Sequence, residues 1–340
     1  MTDGHPNPYP LVLTPILYRK PWGGDRLATF GKAVKPGELI GESWELADLG
    51  STSASGAGGG AAVSLVAQGP LAGETVHAAM DLWGDDLLPA HRRTAEGGFP
   101  LLIKFLDARQ NLSVQVHPSE AYARAHPPAK LKTECWFIVE HEPGAVIYKG
   151  FKPGVTLPEF ERALRTDAAL TVEMLDAVPA VVGECHNLPS GTLHALGAGV
   201  LIAEVQTPSD TTFRTFDWGR TGRELHIEEA LECISVGPTP KAVDMRRNPP
   251  DGGVLRTEFF SVWRASASDE NDLPVGHGAG CFALTVLGGQ GSLFSDDGDF
   301  APVDLVKGRT VLVPGLIAGG ASIVGAENSR VECLIASLPT

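Results

Sequence analysis

Paired or regularly spaced cysteines, the usual mark of a zinc ribbon or a dithiol redox centre, are missing from this chain of 340 residues. Its 5 cysteines stand singly at positions 135, 185, 233, 281 and 333. A scattered, odd-numbered set reads as buried thiols in a reducing compartment rather than as a disulfide framework. Basic excess is missing too. The formal net charge of -14 repels nucleic acid and anionic lipid and sets both aside as partners, so an anionic substrate requires a local basic pocket. No apolar run is long enough for a membrane span, and Met1 to Pro10 carries no basic start followed by an apolar core. A soluble cytoplasmic protein is expected. The Gly-rich stretch Ser51 to Ala62 lacks the Lys-Ser/Thr ending of a phosphate loop; it reads as a flexible surface hairpin, with no chemistry assigned to it.

Glycine and proline are plentiful, at 40 and 26 residues. They punctuate the chain into short apolar runs, which predicts a mainly β fold with inserted α-helices. The length suits two modest lobes. Strands are predicted over Leu11 to Leu17, Gly41 to Ala47 and Phe99 to Leu106. Helical spacing is read over Glu74 to Arg93 as two short helices, and over Pro118 to His126, Glu159 to Leu175 and Gly222 to Ile234. Gly237-Pro238 marks the predicted boundary. It separates a lobe of residues 1–237, with helical insertions at about 74–93 and 118–175, from a lobe of residues 238–340. Gly183 to Pro189 and Gly308 to Pro314 share a glycine six residues before a proline, an echo that suggests two related barrels. The first run continues to His194 and the second through Gly315-Leu316-Ile317-Ala318-Gly319, so only the first lobe offers a metal ligand.

The segment Leu112-Ser113-Val114-Gln115-Val116-His117-Pro118 carries the chemistry. Period-2 alternation puts Ser113, Gln115 and His117 on one face, and Pro118 ends the strand near a barrel mouth. Lys132-Thr133-Glu134-Cys135-Trp136 adds Glu134, and Pro189-Ser190-Gly191-Thr192-Leu193-His194 adds His194. Two imidazoles, one carboxylate and the Gln115 amide oxygen can form a metal site with a position left open. The bland alternative is a hydrogen-bonded core histidine; His5, His77, His91, His126, His141, His226 and His277, which lack polar partners in phase, are read as surface or structural. His186, in phase with Glu184, is explained equally well by a structural hydrogen bond. Lys132 shares a face with Glu134 and is a candidate proton carrier; it could instead pair with a phosphate or a surface acid. Glu204, in the alternating Glu204-Val205-Gln206, is its rival.

Gln115-Val116-His117-Pro118, Lys132-Thr133-Glu134-Cys135-Trp136, Gly191-Thr192-Leu193-His194-Ala195-Leu196 and Thr212-Phe213-Arg214 resemble, in that order, the type I mannose-6-phosphate isomerases. Pro21-Trp22-Gly23-Gly24, Gly41-Glu42-Ser43-Trp44 and Phe99 to Lys104 extend the resemblance over roughly residues 10–235. It implies two cupin (jelly-roll) lobes, one zinc ion held by Gln115, His117, Glu134 and His194, and interconversion of mannose 6-phosphate and fructose 6-phosphate through a cis-enediol. Manganese, iron, cobalt or nickel also suit such a mixed nitrogen and oxygen set. The resemblance places Arg214 in the active site, where a guanidinium would stabilise charge on the enediol oxygens. A salt bridge to Asp217 is its structural alternative. Lys104, Arg109, Ser113 and Arg220 are available for the phosphate. The rival readings are another sugar-phosphate or metal-dependent cupin enzyme and a non-catalytic sugar-binding cupin. Neither monomer nor homodimer is favoured.

Overall fold

The computed structural model describes residues 5–53, 56–127, 129–276 and 280–339, and His277 lies outside them. Among the described residues no helix is long and apolar enough to cross a membrane. The chain is mainly β, and the way each strand divides its side chains between two faces explains where the polar residues go.

Strand Val200–Gln206 pairs antiparallel with Leu102–Ala108 on one side and Glu134–His141 on the other, inside a seven-stranded sheet. Alternation sends Val200 and Ile202 into one apolar core with Leu106, Trp136 and Ile138. Leu201, Ala203 and Val205 go to the opposite face, where they pack with Phe105, Phe137 and residues from both ends of the chain, including Leu11, Val262, Leu312 and Leu334. A sheet covered on both faces needs near-continuous apolar strands. Any polar residue in such a strand is therefore conspicuous, and Lys104, Glu134, Glu204 and Gln206 all stand in the phase of the first core.

A five-stranded sheet faces it, in the order Leu175–Pro179, Val146–Phe151, His194–Leu196, Val114–Val116 and Phe213–Phe216. Its outer face presents Val114, Val116, Ala195 and Phe213 to Phe160, Leu164 and Ala230 of helices Leu157–Thr166 and Ile227–Cys233. The first of these helices opens with a reciprocal cap between Thr156 and Glu159, which satisfies two otherwise orphaned backbone donors.

Several elements are shorter than their patterns suggest. The helix expected over Glu159 to Leu175 breaks at Asp167, whose backbone is extended and whose carboxylate caps the 3-10 stretch Ala168–Met174; a short acidic side chain that bonds its own backbone competes with helix continuation. Glu74 to Arg93 yields the helix Val76–Trp83, ended by Gly84 at φ 52° and followed by two 3-10 turns. Pro118 to His126 yields Glu120–Ala125 behind an Ser119 cap.

The predicted opening strand is two strands in two sheets. Leu11–Thr14 pairs with Thr310–Val313 and with Leu65–Val66, whereas Ile16–Tyr18 pairs with Glu42–Leu46. Val243–Asp244, beyond residue 237, pairs with Glu184–Leu188. The chain thus crosses the division drawn at Gly237-Pro238 in both directions. The C-terminal strands, Ser261–Ser268, Phe282–Ser295, Thr310–Val313, Ala321–Gly325 and Arg330–Ser337, enclose a second core of Val, Leu, Ile, Phe and Ala. Gly183 and Gly308, the first residues of the sequence echo, both have positive φ, 86° and 84°, and each leads into a strand that ends at a proline turn. That backbone is open to glycine at little cost.

Candidate active site

Cross-strand register assembles the site from distant segments. His194 stands opposite Gln115, Gln115 opposite Arg214, and Glu134 opposite Gln206. His117, one residue beyond the strand Val114–Val116, completes the group. One donor atom from each of His117, Glu134 and His194 lies within 4.8 Å of the others, and all three residues are buried. The His117 and His194 Nε2 atoms stand 3.3 Å from Glu134 Oε2 and Oε1 respectively.

The hydrogen bonds around the two imidazoles fix which nitrogen faces inward. His117 Nδ1 is 3.0 Å from the Thr211 carbonyl, and His194 Nδ1 is 2.8 Å from the Thr192 carbonyl. A carbonyl only accepts, so each Nδ1 carries the proton and each Nε2 presents its lone pair to the shared space. Burial, helped by the Lys132 charge, pushes His117 down to about 3. Burial also lowers His194. Both rings are therefore neutral at physiological pH, as metal ligation requires. Burial alone would raise Glu134, but the adjacent Lys132 charge opposes it, and the carboxylate lies well below its ordinary range.

His117 Nε2 and Glu134 Oε1 are buried without a hydrogen-bond partner, while Glu134 Oε2 meets Lys132 Nζ at 2.8 Å as an ion pair. Such groups are costly to bury unless something binds them. Neutral imidazole lone pairs facing an ionised carboxylate fit a divalent cation. Gln115 stands beside this group, with its amide nitrogen 3.3 Å from His194 Nε2 and its oxygen accepting from Ser113 Oγ at 3.1 Å. For the amide oxygen to ligate, the carboxamide must turn over, and Ser113 Oγ then accepts from its nitrogen instead of donating.

Beyond the cage, a cavity is walled by Gln115, Lys132, Trp136, Glu204 and Arg214 together with Lys20, Glu42, Trp44, Lys104 and Asp210. Trp136 packs edge-on against His194 and donates its indole N–H to Glu204 Oε2 at 2.9 Å. Glu204 Oε1 meets Lys104 Nζ at 3.1 Å. Burial, reinforced by the Glu134 charge, raises the Glu204 carboxyl. Burial works against the charge on Lys104, but Glu204, Glu42 and Glu134 outweigh it and raise this amine. Glu42 is likewise opposed by burial, yet Lys20 and Lys104 bring it down to about 2. Arg214 is buried, and burial with the nearby Arg223 charge pushes it down to about 10, which leaves it a cation at neutral pH. Its suggested partner Asp217 pairs with Arg220 at 2.7 Å and Arg223 at 3.0 Å.

Of the cations named for the phosphate, Lys104 lines the cavity, as does Ser113. Arg109 is directed to the Gly23 carbonyl and Arg220 to Asp217. Lys20 and Arg223, which line the cavity, were not singled out by the sequence pattern. Only the placement of Lys20 directly before Pro21-Trp22-Gly23-Gly24 could have pointed to it. The lack of polar partners read for some other histidines needs correction, as does the hydrogen bond read for His186. His77 Nδ1 has a polar partner, Asp48 at 3.0 Å. His186 has no hydrogen bond on either ring nitrogen, and Glu184 lies 3.8 Å away, so the structural hydrogen bond expected for it is not made.

Residues 11–147 match the family model of the phosphomannose isomerase type I catalytic domain. The mannose-6-phosphate isomerase of Streptococcus mutans is 33% identical over 326 residues, spanning 91% of this chain and 93% of that protein. The crystal structure of the mannose 6-phosphate isomerase from Bacillus subtilis superposes with a TM-score of 0.75 at 28% identity, covering 96% of this chain and 99% of that one. A zinc-bound mannose 6-phosphate isomerase shares the fold, with a TM-score of 0.66 at 16% identity over 97% of this chain and 100% of the other. Motif order, a buried His-Glu-His cage and near full-length similarity to relatives of one kind lead to a single assignment: the chain belongs to the type I phosphomannose isomerase family.

Proposed function

We propose that this protein is a metal-dependent aldose-ketose isomerase that interconverts mannose 6-phosphate and fructose 6-phosphate, with zinc held by Gln115, His117, Glu134 and His194. The observation that carries the reading is the buried cage of two neutral imidazoles and one ionised carboxylate opening on a cavity rich in cationic side chains. Zinc suits this donor set, and the zinc-bound structural relative supports it. A divalent ion held there would supply Lewis acidity to the charge that develops on the sugar.

The remaining work falls to the chain's own groups. Isomerisation moves a proton between C1 and C2 through a cis-enediol, while negative charge gathers on O1 and O2. Lys132, whose Nζ stands beside Glu134 at the cage, carries the carbon-bound proton, accepting it as the neutral amine and returning it as the ammonium. Glu204, raised by burial and the Glu134 charge, is the second acid-base group, and its two oxygens are held in place by Trp136 and Lys104. Arg214 faces the same cavity and stabilises the developing oxyanion with a fixed positive charge. Lys104 and Ser113 are available to the phosphate. This chemistry resides in the lobe of residues 1–237, and the lobe of residues 238–340 contributes none of the proposed ligands. All 5 thiols are free and buried, which supports a reducing, cytoplasmic setting.

The test is to supply mannose 6-phosphate to metal-replete protein and follow fructose 6-phosphate, then repeat after chelation and after restoring zinc. Turnover that disappears with the metal and returns with it is the expected result. Full turnover after complete metal removal contradicts the reading, and metal binding without turnover points to a sugar-binding protein.

A further inference from the structure

The Gly-rich stretch that carried no chemistry in the sequence reaches the active-site cavity. It is a hairpin, since Asp48–Leu49 pairs with Ala62–Val63, and Gly56 forms part of the cavity wall. Such a segment has few side chains with which to hold itself, and ordering costs about 1–2 kcal/mol of backbone entropy per residue. An anchor must come from elsewhere, and it comes from Asp210, 153 residues away from Ala57 in the chain.

The Asp210 carboxylate accepts from Ser53 N at 2.8 Å through both oxygens, from Ser53 Oγ at 3.0 Å and from Ala57 N at 3.2 Å. Hydrogen bonds to an ionised acceptor are the strong kind. Gly56 fits beneath this carboxylate because it has no Cβ; one added there would run into Asp210 Oδ2 and Ser53 Oγ. Asp210 cannot move aside without giving up its bonds to Ser53 and Ala57. Held in this way, the Gly56 carbonyl accepts from Lys20 Nζ at 2.9 Å, and Glu42 pairs with the same ammonium at 3.2 Å. An ammonium has three N–H groups. Two are taken, and the third is available in the cavity that Lys20 lines with Gln115, Lys132 and Arg214.

We propose that Asp210 is a positioning residue for substrate binding: by gripping Ser53 and Ala57 it fixes the Gly56 carbonyl, which aims the Lys20 ammonium at an oxygen of the bound sugar phosphate. The inference rests on the isomerase reading above for its substrate and on the geometry alone for its clamp. The same turn also places the Thr211 carbonyl on His117, so metal content has to be measured in every variant.

The experiment compares wild type, Asp210→Asn, Gly56→Ala, Lys20→Met and the Asp210→Asn/Lys20→Met double variant by steady-state isomerisation of mannose 6-phosphate, bound zinc, and amide hydrogen exchange of peptides covering Ser53 and Ala57. Each single variant is expected to raise KM about tenfold with kcat within about threefold and zinc content unchanged. The double variant should be no worse than Lys20→Met, because Asp210 acts through Lys20. Exchange at Ser53 and Ala57 should quicken in Asp210→Asn and Gly56→Ala but not in Lys20→Met. Gly56→Ala keeps the test decisive if Asp210→Asn does not fold. Unchanged KM, additive effects in the double variant or unchanged exchange would each overturn the proposal. Wild-type protein that fails to convert the sugar phosphate refutes the isomerase reading and with it the Lys20 contact, while the exchange rates still decide the clamp.

Discussion

The two barrels of this protein bury comparable strands around very different contents. In the first, the inward phase of the central strands carries Lys104, Glu134, Trp136 and Glu204, and the facing sheet adds Gln115 and His194. In the second, the corresponding interior is filled by residues such as Leu284, Val286, Leu293, Leu305, Ile323 and Ile335; the buried hydroxyls of Thr285 and Thr310, 3.0 Å apart, stand in the opposite strand phase, toward the core shared with the first barrel. An apolar interior is self-sufficient because burial itself stabilises it. A polar interior is stable only when each charge has a partner, and among the buried atoms without a hydrogen bond in the first barrel are His117 Nε2 and Glu134 Oε1, which are arranged to hold a cation. The second barrel lends packing, through the core it shares with the outer face of the first.

Substitutions at matched places should separate the two interiors. The largest effect is expected for His194→Ala, which should abolish stoichiometric zinc binding and lower turnover by at least about a hundredfold, the upper range for loss of a mere outer partner of a ligand. Elemental analysis and the isomerase assay read both. Lys132→Ala, in the same barrel, should lower kcat by about a hundredfold while zinc content stays at wild-type level; an unchanged rate would pass the proton to Glu204. In the second barrel, Leu284→Ala should cost about 2–5 kcal/mol in stability, seen in denaturant titration, with kcat at 25 °C unaffected.

The smallest effect belongs to His186. Burial, with the Lys149 charge, pushes its imidazole from 6.5 down to about 4. Below pH 6.5 the unfolded chain binds a proton that the folded chain refuses, so stability present above that pH is lost progressively toward pH 4. Replacing the ring by an apolar one of similar size removes this slope. His186→Phe should therefore raise Tm at pH 5 by about 1–3 °C and change it less at pH 8, as thermal melts at the two pH values would show.

Much of the first barrel was legible because alternation is a local property. Ser113, Gln115 and His117 share a phase, and so do Lys132 and Glu134, whatever the strands later pair with. What alternation cannot supply is register between strands far apart in sequence. The pairing of Gln115 with His194 and with Arg214 was not readable from alternation: His194 was grouped with Gln115 as a candidate ligand by residue type, Arg214 came only through a family motif, and the reach of the Gly-rich hairpin to Asp210 left no local trace. Helix length was overestimated where Asp167 breaks an otherwise periodic pattern, whereas the end at Gly84 falls where two short helices were expected to part. The opening strand is divided between sheets because Leu11–Thr14 finds its partner in Thr310–Val313, at the far end of the chain. His186 illustrates the reverse case: its strand phase was readable, but whether a buried ring nitrogen finds a donor or acceptor depends on neighbours from other strands.

The most direct measurement is a crystal structure of the protein grown with zinc, with anomalous scattering recorded at the zinc edge. One ion per chain is expected, bound by Gln115, His117, Glu134 and His194 in the first barrel, with none in the second. An active, zinc-loaded enzyme whose ion lies elsewhere, or is held without Glu134 and His194, would contradict the account.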